Sequence, residues 1–175
     1  MANGTDEGVV NYAVYEDGKI KLGIAEVELP DVVLKTFTVN GPGILGDVEM
    51  PVTASPNAMI TKINFRHASA EAYSLAEERT HNLTLYRADQ SYDSKSGEID
   101  VTSRKIIMRV FPKKLTGGTL KPASPLAISG EYTVLYYAEE IDGAIMREID
   151  QLNGNYIDGT GTDRAAKIRA ALGMA

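Results

Sequence analysis

The sequence predicts a mainly β fold with two short helices, and three observations carry that reading. Asp-Gly sits between apolar runs at Glu16-Asp17-Gly18, which is a strong hairpin signal. Strand-like runs with one apolar face recur between Met59 and Ala138. Helical spacing is confined to two segments, Ser69–Glu78 and the stretch that follows Thr162.

From the N-terminus, Val10–Tyr15 and Lys19–Glu28 form the arms of the first hairpin. In the second arm Ile20, Leu22 and Ile24 share one face, while Ala25, Val27 and Leu29 share the other. Side chains alternate strictly along a regular strand, so this phase change predicts a bulge near Ile24-Ala25. Pro30 ends the arm because it has no N–H for the ladder. Val32–Val39 is rich in β-branched residues, and Asn40-Gly41-Pro42-Gly43 turns the chain back into Asp47–Val52. Further strands are expected over Met59–His67, Asn82–Ala88, Arg104–Phe111 and Leu126–Ala138. Ser69 is the expected N-cap of the first helix, with Glu71 in its first turn. Thr162 or Asp163 would cap the terminal helix, about 163–172. That helix places Ala165, Ile168 and Leu172 on one stripe and stops at Gly173.

Composition narrows the function classes. A chain of 175 residues is most simply a single domain, 1–175, with a buried core. It holds 18 Lys and Arg against 24 Asp and Glu, a formal charge of -6. That balance argues against wrapping nucleic acid, which needs clustered cations. There is no apolar run long enough for a membrane span. Met1–Glu7 lacks a basic region and an apolar core, so no secretory signal is expected and synthesis is placed in the cytoplasm. The absence of cysteine removes disulfides and thiolate chemistry.

Motifs that resemble chemistry have better explanations. Gly41-Pro42-Gly43-Ile44-Leu45-Gly46 matches the G-x-G-x-x-G string of dinucleotide folds. That mechanism needs a helix directly after the loop, and Asp47-Val48-Glu49-Met50-Pro51 does not start one. Asn153–Asp163 is rich in oxygen ligands but lacks the EF-hand spacing and its distal Glu. His67 and His81 have no third histidine or cysteine to complete a zinc set. Glu77 and Glu78 are adjacent, so they point to different sides of a helix rather than forming a carboxylate pair. The reading is therefore no enzyme, no metal and no cofactor.

Three segments resemble the major tail tube proteins of contractile-tailed phages and related contractile bacteriocins. The first is Gly23-Ile24-Ala25-Glu26-Val27-Glu28-Leu29-Pro30, which ends the N-terminal hairpin arm, about 8–30. The second is the glycine-rich hairpin, about 32–52, with its tip at Asn40–Gly46. The third is Asp142-Gly143 through Glu148-Ile149-Asp150, followed by Asp163-Arg164, Arg169 and Leu172-Gly173-Met174. The segments span nearly the whole chain, although Thr80–Pro125 carries no recognisable motif and Lys113–Lys121 departs from the pattern.

The resemblance implies a sandwich-like subunit whose sheets close into a barrel shared by a hexameric ring. Rings stack into a hollow tube inside a contractile tail. About four strands per subunit, spaced ~4.8 Å and tilted ~40°, would enclose a bore on the order of 40 Å. A duplex on the order of 20 Å wide would pass. The implied partners are copies of the chain, a contractile sheath, a tape measure and a baseplate, with DNA only as a transient passenger. The implied location is a virion tail or bacteriocin particle made in the host cytoplasm. Asn40, Gly41, Pro42, Gly43, Ile44, Leu45 and Gly46 are the expected inter-ring contact, received by Arg169, Leu172 and Met174. The competing reading is a β-sandwich module that binds sugar or protein; the lack of Trp counts against a sugar site. The wet strand faces carry more Lys and Arg than acid, which leaves the sign of any bore open.

Overall fold

A computed structural model describes residues 8–20, 24–93 and 95–174. The expected positions Lys21, Leu22 and Gly23 lie outside the described residues. The elements are β1 Gly8–Glu16, β2 Lys19–Ile20, β3 Ile24–Glu28, β4 Leu34–Val39, β5 Val48–Pro56, β6 Met59–Phe65, α1 Ala70–Ser74, β7 His81–Tyr92, β8 Ile99–Thr116, β9 Ile128–Ile141, β10 Ala144–Asp150, β11 Asn155–Ile157 and α2 Ala166–Ala171. The fold is mainly β with two short helices, as expected.

Among the described residues, β11-β10-β9-β8-β7-β1-β2 run side by side in one sheet. β9 forks it. Its first half, Ile128–Val134, pairs with β6, and its second half, Tyr136–Ile141, pairs with β10 on the same side. Gln151 N–H bonds to the Leu135 carbonyl at the branch point. β3 continues the β6 branch. That branch packs Ile24, Val27, Ile63 and Phe65 into the same core as Val14, Leu83, Leu85 and Met108. Ala72 and Leu75 from the α1 segment join the same core. The described strands do not close into a barrel, so closure within one subunit is not what the fold provides.

Several boundaries correct the sequence reading. Lys19–Glu28 is not one hairpin arm: Lys19 and Ile20 pair with β1, whereas Ile24–Glu28 crosses to β6. The expected bulge is present, as a register shift between Ile24 and Glu26. α1 stops at Ser74 rather than Glu78, although Ser69 caps it as expected, accepting from Ala72 N–H at 3.3 Å. The chain beyond Ser74 serves another purpose. His81 is fully buried with Nδ1 on Glu16 and Nε2 3.1 Å from the Glu77 carbonyl, and Arg79 also reaches Glu16 at 2.9 Å. That cluster ties the helix turn to the β1–β2 hairpin.

β10 is an element the sequence reading missed. Asp142-Gly143 turns β9 into it with φ of 49° and 81°, which suits a type I′ hairpin. α2 begins at Ala166, where the Asp163 carboxylate accepts from the N–H groups of Ala165 and Ala166. Its expected apolar stripe is not a core face: Ala165 is buried, but Leu172 is 68% exposed. Gly130 has a packing role inside β9, since a Cβ there would lie 2.5 Å from the Tyr132 hydroxyl. The buried Tyr132 phenol is pushed up to about 12, by desolvation first and then by the Glu16 charge. No described helix is long and apolar enough to cross a membrane.

Candidate assembly surface

Among the described residues, β4 and β5 pair only with each other and form a separate two-stranded ribbon. A lone pair of strands is marginal in water unless one face packs against something. Here register puts Phe37 opposite Met50 and Val39 opposite Val48. Paired residues share a face, and alternation adds Val52 to the same side. Thr36, Thr38 and Glu49 occupy the reverse. The ribbon is therefore two-faced, and its apolar face is bare: Phe37 is 54%, Met50 45% and Val48 42% exposed.

At the ribbon root the register jumps from Leu34↔Pro56 to Thr36↔Pro51. The extra residues on β5 include Ala54, held at φ 49°. Bulges of this kind bend and re-aim a strand pair. Open clefts flank the root. One, of about 400 Å³, is lined by Lys35, Pro56, Asp150 and Tyr156 among others. The other, of about 560 Å³, includes Glu28, Asp31, Val33 and Lys62.

The tip carries the expected contact residues. Asn40 Nδ2 donates to Asp47 across the base of the loop at 3.2 Å, and Ile44 N–H bonds to the Gly41 carbonyl. Gly41, Gly43 and Gly46 all have positive φ, a conformation that side chains oppose. Pro42 and the glycines thus hold Ile44 and Leu45 out on a turn, with Leu45 fully exposed. A strand follows the loop, so no helix N-terminus stands where a pyrophosphate would need one.

The terminal residues divide into two roles. Arg169 is committed within the chain: it bonds to the Gly154 carbonyl at 3.0 Å and to Asp163 at 2.5 Å. Asp158 accepts from Thr160, Thr162 and Arg164. The Thr160 hydroxyl, then Arg164, hold its carboxyl well below the ordinary range. The hydrogen bond from Arg169 lowers the Asp163 carboxyl as well. The oxygen-rich connector thus satisfies its carboxylates internally. Leu172 and Met174, by contrast, are exposed at the end of the chain.

Charges on the wet sheet faces are largely matched. Lys62 meets Glu28 and Lys105 meets Glu140, each at 3.1 Å, and Lys114 approaches Glu131 at 4.0 Å. Arg109 stacks over the Tyr136 ring at 5.9 Å. The surplus of cations seen in the strands is offset by acids on neighbouring strands. Sequence reading found the tip but not the ribbon's apolar face. The signal was present as Phe37/Val39 and Val48/Met50/Val52 alternation, legible only once the strands are paired.

A family model described as phage tail tube protein FII matches residues 6–173. The chain belongs to that family. It is a structural tail tube protein, not an enzyme. The fold is also similar to a chain in the cryo-EM structure of an extracellular contractile injection system, PVC, at its sheath/tube terminator in the extended state. That match has a TM-score of 0.54 at 10% identity and covers 76% of this chain and 95% of the other. A chain of the PVC sheath-tube complex in the extended state matches with TM-score 0.52 and 11% identity, covering 74% and 88%. At such identities the likeness is one of fold. No curated protein matches the chain by sequence.

Proposed function

We propose that the chain is a single-domain subunit that forms six-membered rings, and that the rings stack into the inner tube of a contractile tail. The family match carries this reading, and the bare apolar face of the β4–β5 ribbon supports it. Fully burying a side chain such as Phe or Met is worth about 1.5–3 kcal/mol. A ribbon that leaves several exposed needs a neighbour to cover them.

In this reading the ribbon reaches a neighbouring copy and its tip, Asn40–Gly46, meets the next ring. Leu172 and Met174 supply the receiving surface, while Arg169 holds the terminal helix in place. A sheath surrounds the tube, and a tape measure and baseplate set its length and start. DNA or another cargo passes through the bore. If the wet sheet faces line that bore, their matched ion pairs leave few free cations to hold phosphate. The particle is a phage tail or a headless injection device. Negative-stain electron microscopy of the purified protein tests the proposal: rings or tubes support it, and uniformly small particles at every concentration and salt count against it.

A further inference from the structure

Asn-Gly pairs occur in the sequence at 3–4, 40–41 and 153–154. Glycine has no side chain to shield its nitrogen, which can reach the asparagine side-chain carbon and displace its amide. The rate depends on whether the fold holds the two groups apart, since a locked segment must first open. Asn3-Gly4 lies outside the described residues. The other two pairs sit in opposite surroundings.

Asn153 is held from several directions. Its Nδ2 donates to Asp150 Oδ2 at 2.7 Å, and its backbone N–H donates to Asp150 Oδ1 at 3.0 Å. Asp150 is itself buried. The Gly154 carbonyl accepts from the Arg169 guanidinium at 3.0 Å, and β11 begins at the next residue. Asn40 has far less. It and Gly41 are exposed at the tip of the β4–β5 ribbon. One exposed contact, Nδ2 to Asp47 Oδ1 at 3.2 Å, steadies the side chain. Among the described residues no hydrogen bond occupies the Gly41 N–H. Space around it is open, since a Cβ at Gly41 would meet nothing within 4 Å.

We propose that Asn40-Gly41 is a site of spontaneous deamidation in the free subunit, which turns residue 40 into a carboxylate and disables the ribbon tip. The Gly41 nitrogen loses its proton to solvent and forms a bond to Asn40 Cγ. The Cγ–Nδ2 bond breaks, and the amide nitrogen takes a proton from solvent and leaves as ammonia, closing a succinimide ring. Water then opens the ring at either carbonyl, leaving aspartate or isoaspartate. The native tip sets a donor, Nδ2, against the Asp47 carboxylate. The product sets a charged acceptor there instead, and neighbouring carboxylates disfavour each other's ionised form. The isoaspartyl form also adds a backbone carbon ahead of the Gly41–Gly46 turn. The site itself is independent of the tube reading, whereas its effect on stacking rests on that reading. A neighbour seated on the tip would shield it, so the free subunit is the form that ages.

Trypsin separates the two described pairs. Cleavage after Lys35 and Lys62 isolates 36–62, and cleavage after Arg147 and Arg164 isolates 148–164. Native protein held below its assembly concentration at mildly alkaline pH is sampled over time, and each peptide is read by mass spectrometry for amide-to-acid exchange. Fragment ions assign the exchange to its residue. The acid form at residue 40 should accumulate several-fold faster than that at residue 153. Asp47→Ala, which removes the contact at the loop base, should speed it several-fold. Asn40→Gln, whose longer side chain disfavours the ring, should suppress it. Equal rates at the two positions, a faster Asn153, or exchange at Asn57 in place of Asn40 overturn the site. So does a residue 40 that stays an amide while a synthetic 36–62 peptide converts. For the effect on the tip, Asn40→Asp is compared with native protein by denaturation and electron microscopy. It should keep the native midpoint and lose long tubes. Long tubes from Asn40→Asp overturn the effect on assembly. Absence of rings and tubes from native protein as well removes the tube reading and that effect with it, while the peptide rates still decide the site.

Discussion

The β7–β8–β9 wall and the β4–β5 ribbon are built from the same kind of strand and meet opposite fates. Both alternate apolar with polar residues, and both place cross-strand apolar pairs on one face. In the wall, Leu83↔Met108 and Met108↔Tyr137 are covered by the β3–β6 branch and the α1 segment, and all three are at or near zero exposure. In the ribbon, Phe37↔Met50 and Val39↔Val48 have no such lid among the described residues, and Phe37, Met50 and Val48 are exposed. The difference teaches that alternation encodes a face that must be covered, not what covers it. The wall is covered by its own chain, whereas the described residues leave the ribbon's apolar face bare.

Substitutions that separate stability from assembly sharpen the contrast. Leu83→Ala should cost the subunit about 2–5 kcal/mol, read as a shifted urea midpoint at unchanged slope, because it leaves a cavity in a packed wall. A near-neutral result would mean that the wall is not the stabilising body. Gly130→Ala should cost about 1–3 kcal/mol by driving a methyl group into the Tyr132 ring. Its thermal midpoint should fall, while an unchanged midpoint would show that the ring swings aside freely. Replacing Ile44 by Asp and Leu45 by Lys should move stability by about 0.5 kcal/mol or less, while stacking into long tubes fails. Long tubes from that variant would remove the tip from the stacking contact.

The smallest effect concerns acid. Asp158 and Asp163 are held below the carboxylate values of an unfolded chain, by Thr160 and Arg164 and by Arg169 respectively. Their contribution is therefore full above the ordinary Asp range and shrinks as pH falls through it toward the folded values. Below about pH 4, cleavage by an acid protease within residues 158–172 should rise before the core yields. Asp158→Asn should weaken that dependence. Cleavage independent of pH in the native chain would contradict the role given to these carboxylates.

Legibility in the sequence followed the range of the interaction. Local signals worked where they were read: Asp17-Gly18 marks its hairpin, Ser69 caps α1, and the Ile24-Ala25 phase change marks a bulge. The same Asp-Gly dipeptide at 142–143 has nearly the same backbone angles, 49° and 81° against 47° and 78°, yet its β10 hairpin was passed over. Long-range facts were not readable. Glu16 and His81 are far apart in sequence and meet only because β1 pairs with β7. The crossing of Ile24–Glu28 to β6 also depends on tertiary pairing rather than propensity. Among the candidate site residues, the exposure of Ile44 and Leu45 followed from local sequence, whereas Leu172 sits on the helix's expected apolar stripe and is nonetheless exposed. The ribbon face needed the register, and the internal commitment of Arg169 needed the fold.

The most direct test compares native protein with a Phe37→Ser, Met50→Ser variant in two readouts, chemical denaturation and electron microscopy of assembly. Both side chains are already about half exposed in the subunit. The denaturation curve should therefore stay close to native, while rings and tubes are lost at concentrations where the native chain assembles. A variant that still forms native-looking tubes would show that the ribbon face is not covered by a neighbouring copy. A variant that unfolds would show that the face belongs to the subunit's own core.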